Sequence, residues 1–205
     1  MSKRDAGLAA IAIAAIAVAV GGLLFTYRLI GIAAGPEAEL IALLRQTERD
    51  GLRLSIPGAS VALVSRSHHF DRFSVRLGPN GDTAEVACTL DFTGNLGATE
   101  VSSVGLERTA FEYREGRWRP VAGVAPRLTE VLSALESRRQ LVEKKSARGY
   151  QAAAWFVRLE REQAIATEDY LVPGQPAQDL PETRGSRRLV LRREGNKFLF
   201  SEGIL

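Results

Sequence analysis

The stretch AEVACTLDF at residues 84–92 carries apolar residues at the even positions and mostly polar residues at the odd ones. Successive side chains of a β-strand point to opposite faces, so this period of two predicts a strand with one buried face. Cys88 falls on the apolar face, where a small buried hydrophobic residue is the simplest role for it. We therefore expect the core to form on one face of an antiparallel sheet.

Similar apolar and β-branched runs, separated by turn signals, lie on both sides of this stretch. The turns PNGD at residues 79–82 and Glu115-Gly116 combine Gly, which tolerates positive φ, with residues that bond their own backbone. The pattern predicts an antiparallel meander. The predicted strands are residues 61–64, 70–77, 84–92, 101–113 and 118–121, followed by residues 154–161, 163–172, 187–193 and 197–201.

Two helices are predicted, one ahead of each set of strands. The first covers residues 36–54 after the start signal Gly35-Pro36, and the second opens at Pro126 and carries Lys144 and Lys145 at its carboxyl end. The predicted fold class is α+β, with two helix-plus-antiparallel-meander units. We place one helix-plus-meander unit in residues 36–123 and the second in residues 126–205.

The two predicted units share short similar sequences. Arg114-Glu115-Gly116 recurs as Arg193-Glu194-Gly195, and residues 73–77 and 155–159 also resemble each other. A tandem duplication is one interpretation. Chance recurrence of common hairpin turns is the other.

The element order and strand endings such as FEYREGRWRPV at residues 111–121 resemble the cystatin-like and nuclear-transport-factor-2-like (NTF2-like) group. In that group a helix lies across a curved antiparallel sheet, and the resemblance covers most of residues 36–205. It implies binding modules, assembly components of membrane machines, or a few enzymes with a pocket in the sheet concavity. The fold alone does not choose among these functions.

The first residues of the chain have a different composition. Residues 6–26 carry no charge and would span roughly 31 Å as a helix, which is one hydrocarbon core. They predict a transmembrane helix over residues 6–28, and a cleaved secretory signal peptide is the alternative. The predicted anchor and its flanks contain Lys3, Arg4, Leu8, Ile11, Ile13, Ile16, Val18, Leu23, Leu24, Phe25, Tyr27 and Arg28.

The basic flank at Lys3 and Arg4 predicts a short cytoplasmic end at residues 1–5. The chain would then cross the inner or plasma membrane once, and everything from Pro36 would lie outside the cytoplasm, in the periplasm of a Gram-negative cell. The expected partners are the lipid bilayer and other membrane or envelope proteins. A homo-oligomer is compatible with this topology.

The charge balance argues against nucleic acid as a partner. The chain has 27 Lys and Arg against 24 Asp and Glu, and three of the basic residues lie in the first 35 positions, so the exported part is nearly neutral. One Cys and two His exclude an intramolecular disulfide and a multi-Cys zinc site. No cofactor and no metal are expected.

The sequence lacks the phosphate-binding GxxxxGK[ST] loop, the GxGxxG turn, the HExxH zinc site and the GxSxG nucleophile elbow. The remaining catalytic candidates are His68, His69 and Asp91, because a histidine beside a carboxylate can act as a general acid-base pair. Solvated histidines at a strand bend are the alternative. Trp118 and Trp155 are binding candidates if exposed and core residues otherwise.

These observations predict a membrane-anchored extracytoplasmic binding or scaffold protein, a component or accessory of a membrane or envelope complex. The alternative is a small-ligand or lipid-binding module with a pocket in the sheet concavity. A third possibility is an NTF2-like enzyme using His68 or His69 with Asp91. An apolar cavity of several hundred Å³ would favour ligand binding over scaffolding.

Overall fold

The structure is a computed structural model that describes residues 35–195 and 197–201. In chain order its elements are helix α1 (Pro36–Asp50), strands β1 (Arg53–Leu54), β2 (Leu63–Leu77), β3 (Thr83–Leu96), β4 (Thr99–Arg114) and β5 (Arg117–Pro120), helix α2 (Pro126–Lys145), strands β6 (Gln151–Leu159) and β7 (Gln163–Val172), a 3₁₀ turn (Pro176–Gln178), and strands β8 (Thr183–Glu194) and β9 (Lys197–Phe200).

The chain divides into two compact units, Met1–Leu40 and Ile41–Leu205. Of the first unit, the structure describes residues 35–40, which begin α1. The predicted transmembrane helix at residues 6–28 lies outside the described residues. Within residues 35–195 and 197–201, no helix is long and apolar enough to cross a bilayer.

All nine strands described in the second unit belong to one sheet, in the order β1-β2-β3-β4-β6-β7-β8-β9, with β5 paired to β4. Neighbouring strands are antiparallel except β4 and β6, which run parallel with Val101 opposite Trp155. The predicted fold class is therefore wrong, because the two predicted helix-plus-meander units contribute to one continuous mixed sheet. Both Arg-Glu-Gly turns close hairpins, yet their strands are parts of this same sheet.

Strand β2 combines two stretches that were predicted as separate strands. It runs unbroken over 15 residues, with irregular register between Ser65 and Ser67 and between Asp71 and Ser74. The polar run at residues 65–69 masks the alternation there, because a bulge shifts the side-chain phase by one residue. Helix α1 ends at Asp50 instead of residue 54, since Gly51 follows with φ +79°.

The core lies on one face of the sheet. The even residues of β3 from 84 to 96 are buried, as the alternation predicts, and Cys88 is 1% exposed. Helix α2 packs against β4, β6 and β9 and buries the apolar stripe Leu128, Val131, Leu132 and Leu135. The predicted start of this helix at Pro126 is confirmed.

A strand residue caps the first turn of α2. Ala125, at the N-cap position, makes no side-chain capping bond. Instead the buried Glu107 carboxylate of β4 accepts the backbone N–H groups of Arg127 and Leu128 at 2.9 and 3.1 Å. The Arg127 guanidinium in turn donates to the carbonyls of Leu106 and Arg161. The position of α2 on the sheet is thus set by polar contacts as well as by apolar packing.

Candidate functional site

A groove of about 900 Å³ lies between α2 and strands β8 and β9. A volume of this size is typical of small-molecule sites. The helix lines it with Thr129, Glu130, Ser133, Ala134, Ser137, Arg138 and Leu141. The strands and one loop residue line it with Arg188, Leu189, Val190, Lys197, Phe198, Leu199, Phe200, Ser201 and Pro57.

The groove exists because the side chains of α2 that face it are mostly small. Ser133, Ala134 and Ser137 recur at helical spacing, so only short side chains project from this stripe of the helix and space is left beside it. Phe198 and Phe200 of β9 supply large apolar side chains opposite. The result is an elongated space with a largely apolar wall.

Two cation-π contacts fix how the helix and β9 are aligned. The Arg127 guanidinium carbon lies 5.4 Å from the Phe198 ring centre, and that of Arg138 lies 5.9 Å from the Phe200 ring centre. The Ser201 backbone N–H, just beyond β9, donates to the Val190 carbonyl. The two ends of the groove can therefore be told apart. The glutamate end contains Glu130, Lys197 and Phe198, and the arginine end contains Arg138, Leu141, Arg188 and Ser201.

The arginine end stands on a buried charged cluster. The Glu168 carboxylate, 1% exposed, accepts hydrogen bonds from Arg138 Nη1 at 3.1 Å and Arg187 Nε at 2.6 Å. Trp155 Nε1 donates to the other carboxylate oxygen of Glu168, at 3.2 Å. Arg187 also donates to the Tyr150 hydroxyl, and burial together with the nearby Glu168 charge raises the pKa of Tyr150. Glu168 thus holds both guanidinium groups in place.

The glutamate end contains an unpartnered polar atom. Glu130 Oε2 is buried and has no hydrogen-bond partner within the described part of the chain. Burial raises the pKa of Glu130, although the positive charges of Arg193 and Arg127 act against it. A carboxyl group at this end is therefore more easily protonated than one in water.

The structure separates the two histidines. His69 lies opposite Asp91 in the β2–β3 pairing, and its side chain is 59% exposed. His68 points to the other face, is 8% exposed, and places Nε2 at 3.3 Å from the Thr47 hydroxyl. Burial lowers the pKa of His68 and outweighs the nearby Glu48 charge, which acts to raise it. Neither histidine lines the groove, and Asp91 does not line it either.

His69 belongs to a small cluster that fastens α1 to β2. Its Nδ1 lies 3.4 Å from Glu48 Oε1 and 3.1 Å from Arg45 Nη1. Glu48 Oε1 also accepts the Phe70 backbone N–H at 2.6 Å. Burial acts to raise the pKa of Glu48, but the hydrogen bonds from Phe70 and Arg45 outweigh it and lower the pKa. These contacts connect helix α1 to strand β2, which is a structural role.

Trp118 and Trp155 both lie in the core, 5% and 1% exposed. The groove between α2 and β8–β9 and the Glu168 cluster were not predicted from the sequence. One signal was present: Glu168 follows Ala164 and Ala166 at the buried phase of β7, where a charge needs a partner. The small residues of α2 were a weaker signal.

Within residues 35–195 and 197–201, no three His, Cys, Asp or Glu side chains are placed to hold a metal ion.

Comparisons with protein families, with curated proteins and with solved structures find no match to this chain.

Proposed function

We propose that the chain is a membrane-anchored extracytoplasmic binding protein that holds an apolar ligand in the groove between α2 and β8–β9. The observation that carries this proposal is the groove itself, about 900 Å³ in volume and lined by Phe198, Phe200 and Leu189. The anchor rests on the uncharged stretch at residues 6–26. The proposal favours ligand binding over a scaffold role without a ligand.

Two exposed side chains at the groove support a ligand with an extended apolar part. Leu141 is 56% exposed and Leu199 is 47% exposed, although both line the groove. An apolar ligand would cover them, at a gain of about 0.8 kcal/mol for each buried CH₂ group of the ligand. The groove therefore offers a favourable environment for a hydrocarbon chain.

The polar groups of the groove favour binding over chemistry. The Ser133 hydroxyl donates to the Pro57 carbonyl at 2.9 Å, and the Ser137 hydroxyl donates to the Ser133 carbonyl at 2.8 Å. An activated serine nucleophile needs a neighbouring general base, and these hydroxyls face backbone oxygens instead. Arg138 is bonded to Glu168. These groups shape and orient a bound molecule.

The test uses the full chain reconstituted into phosphatidylcholine vesicles and an uncharged alkyl probe that carries a photoactivatable diazirine. After illumination, mass spectrometry locates the labelled peptides. We expect labelling at residues 129–141 and 188–201. The variant Ala134→Trp fills the groove and should reduce this labelling at least about tenfold, because the apolar contact area is lost.

The matched control is Lys144→Trp, which places the same side chain at an exposed position of α2 outside the groove. It should label like the unaltered chain. Equal labelling of groove peptides in the chain and in Ala134→Trp, or no groove labelling in either, would overturn the proposed function. Circular dichroism of both variants checks that the fold is kept.

A further inference from the structure

We propose that the outer face of strands β6, β7 and β8, on the side of the sheet away from α2, docks on a bilayer surface that contains anionic phospholipids. This surface is separate from the groove, so it adds a second kind of contact to the proposed function. The inference rests on the proposed membrane anchor, because the anchor keeps the chain beside lipid head groups.

Strand alternation defines this outer face. Trp155 of β6, Ala166 of β7 and Leu189 of β8 are buried in the core, so their neighbours in each strand project to the opposite side. Arg188 also borders the groove, but its side chain is on this outer side. The pairing registers place the outer residues in two cross-strand rows, with Phe156, Thr167 and Arg188 in one and Arg158, Ile165 and Val190 in the next.

Three arginines of the outer face have no partner in the described part of the chain. Arg158, Arg188 and Arg192 are exposed, and none of them makes an ion pair or a side-chain hydrogen bond with any residue that the structure describes. Arg158 and Arg188 flank β7 from its two neighbouring strands, and Arg192 lies four residues beyond Arg188 on β8. Their guanidinium groups are therefore available to an anion from outside the described chain.

The acidic residues of these strands do not cancel this charge. On the outer side, Asp169 lies on β7, and Glu194 lies at the end of β8, where Lys197 is its partner in the ladder. At the other end of β8, Arg184 is bonded to Glu182 at 2.8 Å. Setting each of these pairs aside leaves three arginines against Asp169 on this side of the three strands. The surface therefore attracts anions.

Phe156 adds an apolar contact beside the arginines. It is 45% exposed, and Ile165 in the next row is half-buried. Such a surface suits the head-group region of a bilayer, where an apolar side chain reaches the acyl boundary and guanidinium groups bind phosphates through paired N–H···O bonds. A polynucleotide fits less well, because successive bases stack on several aromatic side chains. Phe156 is the one exposed aromatic residue that the structure describes in these three strands.

The short connection to the proposed anchor favours a bilayer as the occupant. The predicted membrane helix ends at residue 28, and the described chain begins at residue 35. Even a fully extended chain between these positions spans at most roughly 25 Å. The anchor would therefore present lipid head groups at a high effective concentration to the surfaces that follow it.

The test uses the full chain reconstituted into vesicles of phosphatidylcholine alone, or of phosphatidylcholine and phosphatidylglycerol in equal amounts. An arginine-specific dicarbonyl reagent modifies exposed guanidinium groups, and mass spectrometry gives the modification rate at each arginine. We expect the rates at Arg158, Arg188 and Arg192 to fall at least about fivefold when phosphatidylglycerol is present, since each arginine favours the anionic surface by about that factor. The rate at Arg117, exposed on β5, should stay unchanged.

Two double variants with equal loss of charge test the location of the surface. Arg158→Gln with Arg192→Gln should return the modification rate of Arg188 to its value in pure phosphatidylcholine. The matched control, Arg114→Gln with Arg119→Gln, removes the same charge from exposed positions near the β4–β5 turn. It should leave Arg188 protected.

Equal rates in the two kinds of vesicle would overturn the docking surface. Protection of Arg188 that survives the loss of Arg158 and Arg192, or that the control variant also abolishes, would overturn it too. Protection by a single-stranded oligonucleotide but not by phosphatidylglycerol would overturn it in favour of a polynucleotide. Each of these results leaves the groove labelling of the proposed function intact. Failure of the chain to stay with phosphatidylcholine vesicles would overturn the anchor, and this inference with it.

Discussion

The Glu107 carboxylate and the Arg127 backbone amide, 20 residues apart in sequence, are joined by a 2.9 Å hydrogen bond that makes a strand residue the cap of a helix. The amino end of a helix attracts negative charge, but complete burial opposes it. Burial is the larger effect here and raises the pKa of Glu107 to about 7. The helix that forms one wall of the groove is thus tied to the sheet by a titratable group.

We expect the contribution of Glu107 to stability to fall as the pH rises from about 4.5 to about 7. The folded state holds the Glu107 proton more tightly than the unfolded state, so its contribution is complete below the unfolded pKa and is lost as the pH rises through the folded pKa. The loss amounts to about 3 kcal/mol. Urea unfolding across this pH range measures it.

Urea unfolding of Glu107→Gln over the same pH range should lack this loss of stability, because the amide does not ionise. Glu85→Gln, at an exposed position of β3, serves as the control and should follow the unaltered chain. Parallel pH profiles for the unaltered chain and Glu107→Gln would show that Glu107 does not titrate in this range.

Gly105→Ala should be strongly destabilising. Gly105 has φ +132°, and a Cβ there would overlap the carbonyl oxygen of Leu159, its partner on β6. We expect a loss of at least about 3 kcal/mol in urea unfolding, because the β4 and β6 backbones must separate. Gly116→Ala, at φ +79° with open space around it, should lose only about 1–2 kcal/mol. Similar losses at the two sites would contradict the close approach.

Glu168→Gln should cost about 3–5 kcal/mol, because it leaves Arg138 and Arg187 without their shared carboxylate. The comparison is Glu143→Gln, which removes an exposed partner of Arg139 and should cost less than about 1 kcal/mol. Equilibrium unfolding in urea measures both. A small effect at Glu168 would mean that the cluster adds little to stability.

The Cys88 thiol should be unreactive in the folded protein. It is 1% exposed, and burial together with the Glu107 charge raises its pKa to about 12. Labelling by a chromogenic thiol reagent should therefore proceed only as the chain unfolds. The variant Glu85→Cys in a Cys88→Ser background, exposed on the same strand, should react at once. Fast reaction of native Cys88 would contradict its placement in the core.

A chain that stops at Gly123 should not melt cooperatively. It would lose β6 and α2, and with them the Trp155 partner of Val101 and the cover over β4. Calorimetry of this fragment beside the full chain tests the expectation. A sharp transition in the fragment would show that residues 36–123 fold independently.

Local patterns predicted the elements of this fold better than their arrangement. The alternation in β3 located its buried face and Cys88, and Pro126 marked the start of α2. The pairing of β4 with β6 could not be predicted in this way. Alternation shows which face of a strand is buried, but the identity of its neighbour depends on contacts far apart in sequence.

The site was missed for a related reason. Glu168 follows two buried alanines in the alternation of β7, and Glu107 lies at a buried position of β4; such charges need partners that only the folded chain supplies. His68 and His69 were candidates because a histidine can act as an acid or a base. They are adjacent in a strand, however, so their side chains point to opposite faces of the sheet. A charge at an apolar phase was a better indicator of an organised cluster than an adjacent histidine pair.

The contact between Glu48 and Phe70 also bears on how the protein avoids aggregation. Strand β1 pairs with two residues of β2, so among the described residues the rest of that edge has no strand paired to it. Glu48 occupies the Phe70 N–H, and the irregularity at Arg72, with φ +54°, distorts the strand just beyond it. An incoming chain would meet a carboxylate and a kink in place of a regular ladder, which is how natural sheets prevent edge-to-edge polymerisation.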